Sequence, residues 1–202
     1  MTQPPSPKLI VGLGNPGNEY AETRHNAGVW FVEQLLQRYP ASSPLALENK
    51  FFGLAGQIIV ANQPVRILIP QTFMNNSGQS VAAMANFYKI DSDAILVVHD
   101  ELDLNPGICR LKHGGGHGGH NGLRDITVAL GNNNNFSRLR IGIGHPGSAK
   151  HVSSFVLKSA SSAERLLIDQ AIDEAVNHIE AIVNGQWQLA MNTLHSFEAS
   201  RN

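Results

Sequence analysis

The chain has 202 residues, of which 42% are hydrophobic and 15% charged; that length and balance describe one globular domain with its own core and exclude a disordered chain. The single cysteine, Cys109, excludes an intramolecular disulfide and a cysteine-rich zinc site, and no apolar run is long enough to span a membrane. Net charge is -1, but residues 104–158 carry 7 Lys/Arg against Asp125 alone, so one strongly basic block sits inside a neutral protein; such a block faces a polyanion or forms a solvated basic surface.

Residues 1–7 hold three prolines and no apolar core, which reads as a loose tail rather than a signal peptide and makes the cytoplasm the expected compartment. Residues 8–202 read as one domain. Residues 8–12 are apolar and β-branched, a buried strand ending in a Gly14-Asn15-Pro16-Gly17 turn. Helical spacing covers 26–39, with Pro40 beyond it. Residues 51–60 and 65–69 read as a hairpin about Ala61-Asn62-Gln63-Pro64. A helix follows over 77–88, a strand over 94–98, another over 108–111, and a short helix over 121–130 with Asn121 as cap and Gly131 beyond its end. Residues 139–144 form a strand. Ser161-x-x-Glu164 opens a helix running to Asn184, and a last helix spans 187–197. Strands alternating with helices predict an α/β domain, and the hairpin makes its sheet mixed rather than all parallel.

Gly12-x-Gly14-x-x-Gly17 matches a dinucleotide fingerprint, but Pro16 lies inside it, no helix starts at Gly17, and no strand with an acidic end follows at the expected distance. The other reading is a tight loop that presents Asn15. In Thr23-Arg24-His25-Asn26, Asn26 suits a helix cap, and His25 lies in a polar turn beyond the carboxyl end of the first strand. His99-Asp100-Glu101-Leu102-Asp103 delivers Asp100 at the carboxyl end of an apolar strand, the edge where α/β sheets build sites. A carboxylate there can accept from one imidazole nitrogen and leave the other as a base; a solvated acidic turn or a Mg²⁺ site is the alternative.

The run from His113 to Gly122 contains three histidines and six glycines. It reads either as a zinc tract or as a glycine loop leading to a helix N-terminus that favours an anion, flanked by Arg110, Lys112 and Arg124. Asn15, Asn75 and Asn121 fall at loops or helix starts, where amides serve either turns and caps or a substrate main chain and a water. Arg140 stands in an apolar strand within a block almost free of carboxylates, which favours a phosphate partner. There is no Gly-x-Ser-x-Gly elbow and no Walker loop, and Cys109 reads as a small buried residue. The nucleophile of a hydrolase built from these groups is water.

Six stretches taken in order, Ile10-Val11-Gly12-Leu13-Gly14-Asn15-Pro16-Gly17, Thr23-Arg24-His25-Asn26-Ala27-Gly28, Thr72-Phe73-Met74-Asn75, His99-Asp100-Glu101-Leu102-Asp103, the 113–122 loop and Arg138-Leu139-Arg140-Ile141-Gly142-Ile143-Gly144-His145-Pro146-Gly147, closely resemble the bacterial peptidyl-tRNA hydrolases. The resemblance covers the chain from Lys8 to its C-terminal helices. It implies a monomeric, metal-free, cofactor-free α/β enzyme that hydrolyses the ester between a peptide and the 3′ ribose of tRNA. His25 is then the general base and Asp100 its partner. Asn15, Asn75 and Asn121 hold the peptide, the 3′ end and the water, with Tyr20, Asn26, Met74 and His120 completing the substrate site. Lys112 and Arg140 grip the tRNA 5′-phosphate. Lys150 stands slightly displaced from the lysine that family members carry after the His145-Pro146-Gly147 turn. The competing class is a non-catalytic RNA-binding protein on the same scaffold.

Overall fold

Strand β1 (Leu9–Gly12) is buried along its whole length and lies at the middle of the sheet. The computed structural model describes residues 3–200. The other strands are β2 (Ala46–Glu48), β3 (Gly53–Val60), β4 (Gln63–Pro70), β5 (Ile95–Glu101), β6 (Cys109–His113) and β7 (Ser137–Gly142), in the spatial order β2-β3-β4-β1-β5-β7-β6. The four central strands β4, β1, β5 and β7 run parallel, and the pairs β2–β3, β3–β4 and β6–β7 are antiparallel. The sheet is therefore mixed, as expected from the hairpin. Its tight turn is made by Ala61 and Asn62, both at positive φ, the geometry that matches the twist of two paired strands.

The period-two alternation of the central strands divides the core between the two faces of the sheet. Ile10, Leu96 and Val98 pack with helix α1 (Ala27–Arg38) and helix α5 (Ser162–Asn177) on one face. Leu9, Val11, Ile95 and Val97 pack with α2 (Ser77–Tyr88) and α3 (Asn121–Ala129) on the other. After β1 the chain crosses to β4 on one side, then returns through α2 to β5 on the other. The carboxyl ends of β1 and β5 thus border a topological switch point, where open sheets leave a crevice. Gly28 brings α1 down onto that crevice, because a Cβ there would run into Val98 O and Leu13 N.

Several expectations are corrected. β5 extends through His99, Asp100 and Glu101, so these residues are strand rather than a turn beyond it. Strand β2 and helix α4 (Val152–Val156) have no counterpart in the sequence reading; each is too short to show a hydrophobic period. Phe51, expected as the first strand residue, closes a 3-10 turn, Asn49–Phe51, and β3 begins at Gly53. The capping box of Ser161 and Glu164 is present, but the helix it opens ends at Asn177, and α6 (Ile179–Val183) follows. His178 interrupts it by donating from Nδ1 to Glu174 O at 2.9 Å, taking a carbonyl of the last turn. The last helix, α7, spans Trp187–Ser196.

Candidate active site

The loop after β1 is pinned by Asn26, whose side chain accepts from the Asn15 N–H at 2.9 Å and donates to Asn15 O at 3.0 Å. Asn26 therefore makes no capping bond for α1. It lies behind Asn15, buried, and does not line the cleft. Asn15 is oriented in turn, because its Oδ1 accepts from the Met74 N–H at 2.7 Å. The half of the amide left for a substrate is the Nδ2 donor.

His25 lies in a 3-10 turn, Arg24–Asn26, over the end of β5. Its Nδ1 is 2.9 Å from Asp100 Oδ1. His120 Nε2 is also 2.9 Å from that oxygen. His120 Nδ1 accepts from the Leu123 N–H, which makes His120, not Asn121, the cap of α3. A neutral His120 must then carry its proton on Nε2 and donate it to Asp100. His25 likewise donates from Nδ1, and its Nε2 has no protein partner among the described residues. Behind them, His99 donates from Nδ1 to Asp100 O at 2.7 Å.

The charges follow from this geometry. Burial opposes a charge on Asp100, but His25 and His120 outweigh it and hold the carboxyl far below the usual range. Burial likewise works against a charged His25, and the charge and hydrogen bond of Asp100 outweigh it, so the net shift of His25 is upward. His99 is pushed down to about 3, first by burial and then by His120 beside it, and stays neutral. Cys109 is buried in the core, where desolvation raises its thiol to about 12.

A cleft of about 550 Å³ opens above this cluster. Asn15, Tyr20, Met74, Asn75, His120 and Asn121 line it with His25 and Asp100, so eight residues singled out from far-apart stretches share one cleft. Tyr20 packs edge-on against Phe73, their centroids 6.1 Å apart. The lining also includes Val152 and Val156 of α4 and Leu157 just after it, which sequence reasoning missed along with the helix.

The basic residues lie apart from the cleft lining. Lys112 is exposed at the end of β6 and makes no ion pair among the described residues. Lys150 is exposed in a 3-10 turn, Ala149–His151, whose Ala149 reaches the rim. Arg140 does have a carboxylate partner, contrary to expectation: its Nε donates to Glu101 Oε2 at 2.9 Å. That acid comes from the neighbouring strand β5, outside the basic block, so counting charge along the chain could not find it. Arg110 turns away to the carbonyls of Leu194 and Phe197 at the end of α7. Arg138 is buried and donates to Gly115 O and Gly116 O, which fixes the glycine loop.

The three histidines of the 113–122 tract meet separate partners and do not converge on one point. His113 bonds Ser137 and Asn135, His117 accepts from the Gly119 N–H, and His120 reaches Asp100. Among the described residues the one group with metal-ligand spacing is His25, Asp100 and His120, within 4.8 Å of one another. There the nitrogen of His120 facing Asp100 carries a proton instead of a lone pair, so this protonation state is a hydrogen-bonded cluster and not a ligand set. No helix among the described residues is long and apolar enough to cross a membrane.

A profile of the peptidyl-tRNA hydrolase family matches residues 9–202. The peptidyl-tRNA hydrolase of Tolumonas auensis is 58% identical over 200 residues, 99% of this chain and 100% of that protein. That of Pectobacterium atrosepticum is 60% identical over 193 residues, 96% of this chain and 98% of its own. The crystal structure of peptidyl-tRNA hydrolase from Acinetobacter baumannii matches with a TM-score of 0.91 at 54% identity, covering 95% of this chain and 96% of that one. Sequence, fold and the clustering of five of the six motifs around one cleft agree: the chain belongs to the peptidyl-tRNA hydrolase family of hydrolases.

Proposed function

We propose that this chain hydrolyses the ester between a peptide and the 3′ ribose of tRNA, with a water activated by His25 as nucleophile. The observation that carries the reading is the 2.9 Å contact of His25 Nδ1 with buried Asp100, which leaves Nε2 as the basic nitrogen on the cleft wall. Nε2 takes a proton from water as the water oxygen bonds to the acyl carbon. Asp100 fixes the tautomer and stabilises the imidazolium that forms. The Asn15 Nδ2 donor, oriented by Met74, is available to the oxyanion or to the peptide carbonyls. The imidazolium then returns its proton to the departing ribose oxygen, giving a free peptide and a tRNA with its 3′-hydroxyl.

Asn75 and Asn121 line the same cleft, where their amides suit the N–H and C=O groups of a peptide main chain. Lys112 and Arg140 provide the phosphate contacts, with Lys150 near the rim as a further cation; such contacts give affinity without base readout.

The route of the water is tested by cleavage of peptidyl-tRNA in ¹⁸O-water with EDTA present. One ¹⁸O in the new peptide carboxylate and none on the tRNA 3′-oxygen is the expected result. Label on the ribose oxygen, or a reaction stopped by the chelator and restored by Zn²⁺, contradicts the scheme.

A further inference from the structure

Arg24 directly precedes the base and is buried, yet the chemistry above gives it no task. Its Nη1 donates to three carbonyls at the end of α4 and in the turn beyond: Phe155 at 3.4 Å, Lys158 at 3.2 Å and Ser159 at 3.0 Å. Its Nη2 donates to Glu164 Oε2 at 3.1 Å, and its guanidinium lies 4.1 Å from the centre of the Phe155 ring. The backbone repeats the connection, since Arg24 N–H donates to Lys158 O and Thr23 bridges Ser159. Glu164 is itself fixed by the Ser161 N–H in the capping box of α5. A helix of five residues cannot hold its own place by internal hydrogen bonds. The junction that holds α4 is the one Arg24 closes.

The lining that α4 and the turn after it contribute is mostly apolar: Val152, Val156 and Leu157 present hydrocarbon to the cleft beside Ser153, and Leu157 is 42% exposed. The same cleft carries the asparagine residues and the His25–Asp100 pair, with Phe73 and Met74. A main chain bonded to the polar groups can rest a side chain on the α4 hydrocarbon, where burial favours an apolar group.

We infer that Arg24 is a positioning residue that sets the α4 wall at a fixed distance from His25, and that this wall is a subsite for an apolar side chain at the esterified end of the peptide. The inference rests on the peptidyl-tRNA reading above. Lysine cannot replace Arg24, because a point charge can neither span these acceptors nor lie flat on a ring.

The test uses two substrates on one tRNA, with leucine or glycine as the esterified residue, and three proteins: wild type, Arg24→Lys and Phe155→Leu. Phe155→Leu removes the ring beneath the guanidinium and provides a second variant should Arg24→Lys fail to fold. Wild type should favour the leucyl substrate in kcat/KM by about 10-fold, the scale of a small apolar contact. Both variants should bring the ratio to within about twofold, chiefly by raising KM for the leucyl substrate. The acid limb of the rate should not move, because His25 and Asp100 are intact. Variants that lower both substrates alike, or a wild type without the preference, overturn the inference. A wild type that cleaves neither substrate overturns the hydrolase reading itself.

Discussion

Asn26 and Asn15 close a ring of two hydrogen bonds, in which one side chain takes both the N–H and the C=O of the other residue's backbone, at 2.9 Å and 3.0 Å. Asn26, expected to touch substrate, instead holds Asn15, which lines the cleft. Asn26→Ala leaves both backbone groups buried and unpaired, which costs about 1–3 kcal/mol for each. Turnover should fall along with stability, because Asn15 is no longer held at the cleft. Urea unfolding and kcat, measured together on the folded fraction, check this; full turnover in a destabilised variant removes Asn15 placement from the mechanism.

The acid limb of the rate should report His25. The base acts when neutral, and Asp100 raises its pKa above the ordinary 6.5, so activity should begin to fall above that pH as the solution is made more acidic. Asp100→Asn removes the charge and leaves burial, which pushes the other way. The limb should then move to lower pH while the plateau drops by about 100-fold or more. A variant with the wild-type limb, or with a binding defect alone, takes Asp100 out of the catalytic pair.

Much of the site was legible in the sequence, for one physical reason. Residues that must sit at strand ends and helix starts carry local marks: Asp100 closes an apolar run, His25 precedes an apolar helix period, and Asn121 follows a glycine loop. Contacts made across strands leave no such mark. Arg140 meets Glu101 only because β7 lies beside β5, and Arg24 meets three carbonyls more than a hundred positions away. The cap of α3 was misassigned because histidine competes with asparagine there only when Nδ1 is free to accept, which depends on Asp100 taking the other nitrogen. In the fold, β2 and α4 were lost to their brevity, while the buried central strands and the helices α2 and α7 came through.

The basic residues should act through phosphate. Lys112→Ala and Arg140→Ala should each raise KM on full-length substrate and reduce the salt slope by about one unit. Neither should slow a minimal ester that lacks the 5′-phosphate. Glu101→Gln should behave as a weaker Arg140→Ala, because Glu101 aims the guanidinium by its Nε and leaves the Nη groups for the anion. Equal losses on both substrates mean that these side chains serve the fold or the chemistry.

The central claim is that His25 is the base, and the most direct measurement is single-turnover cleavage of peptidyl-tRNA by wild type and His25→Ala at equal folded concentration. The rate should be at least about 100-fold lower in the variant, the range for a lost general base, with tRNA affinity and melting temperature close to wild type. A well-folded His25→Ala protein that cleaves at near the wild-type rate would contradict it.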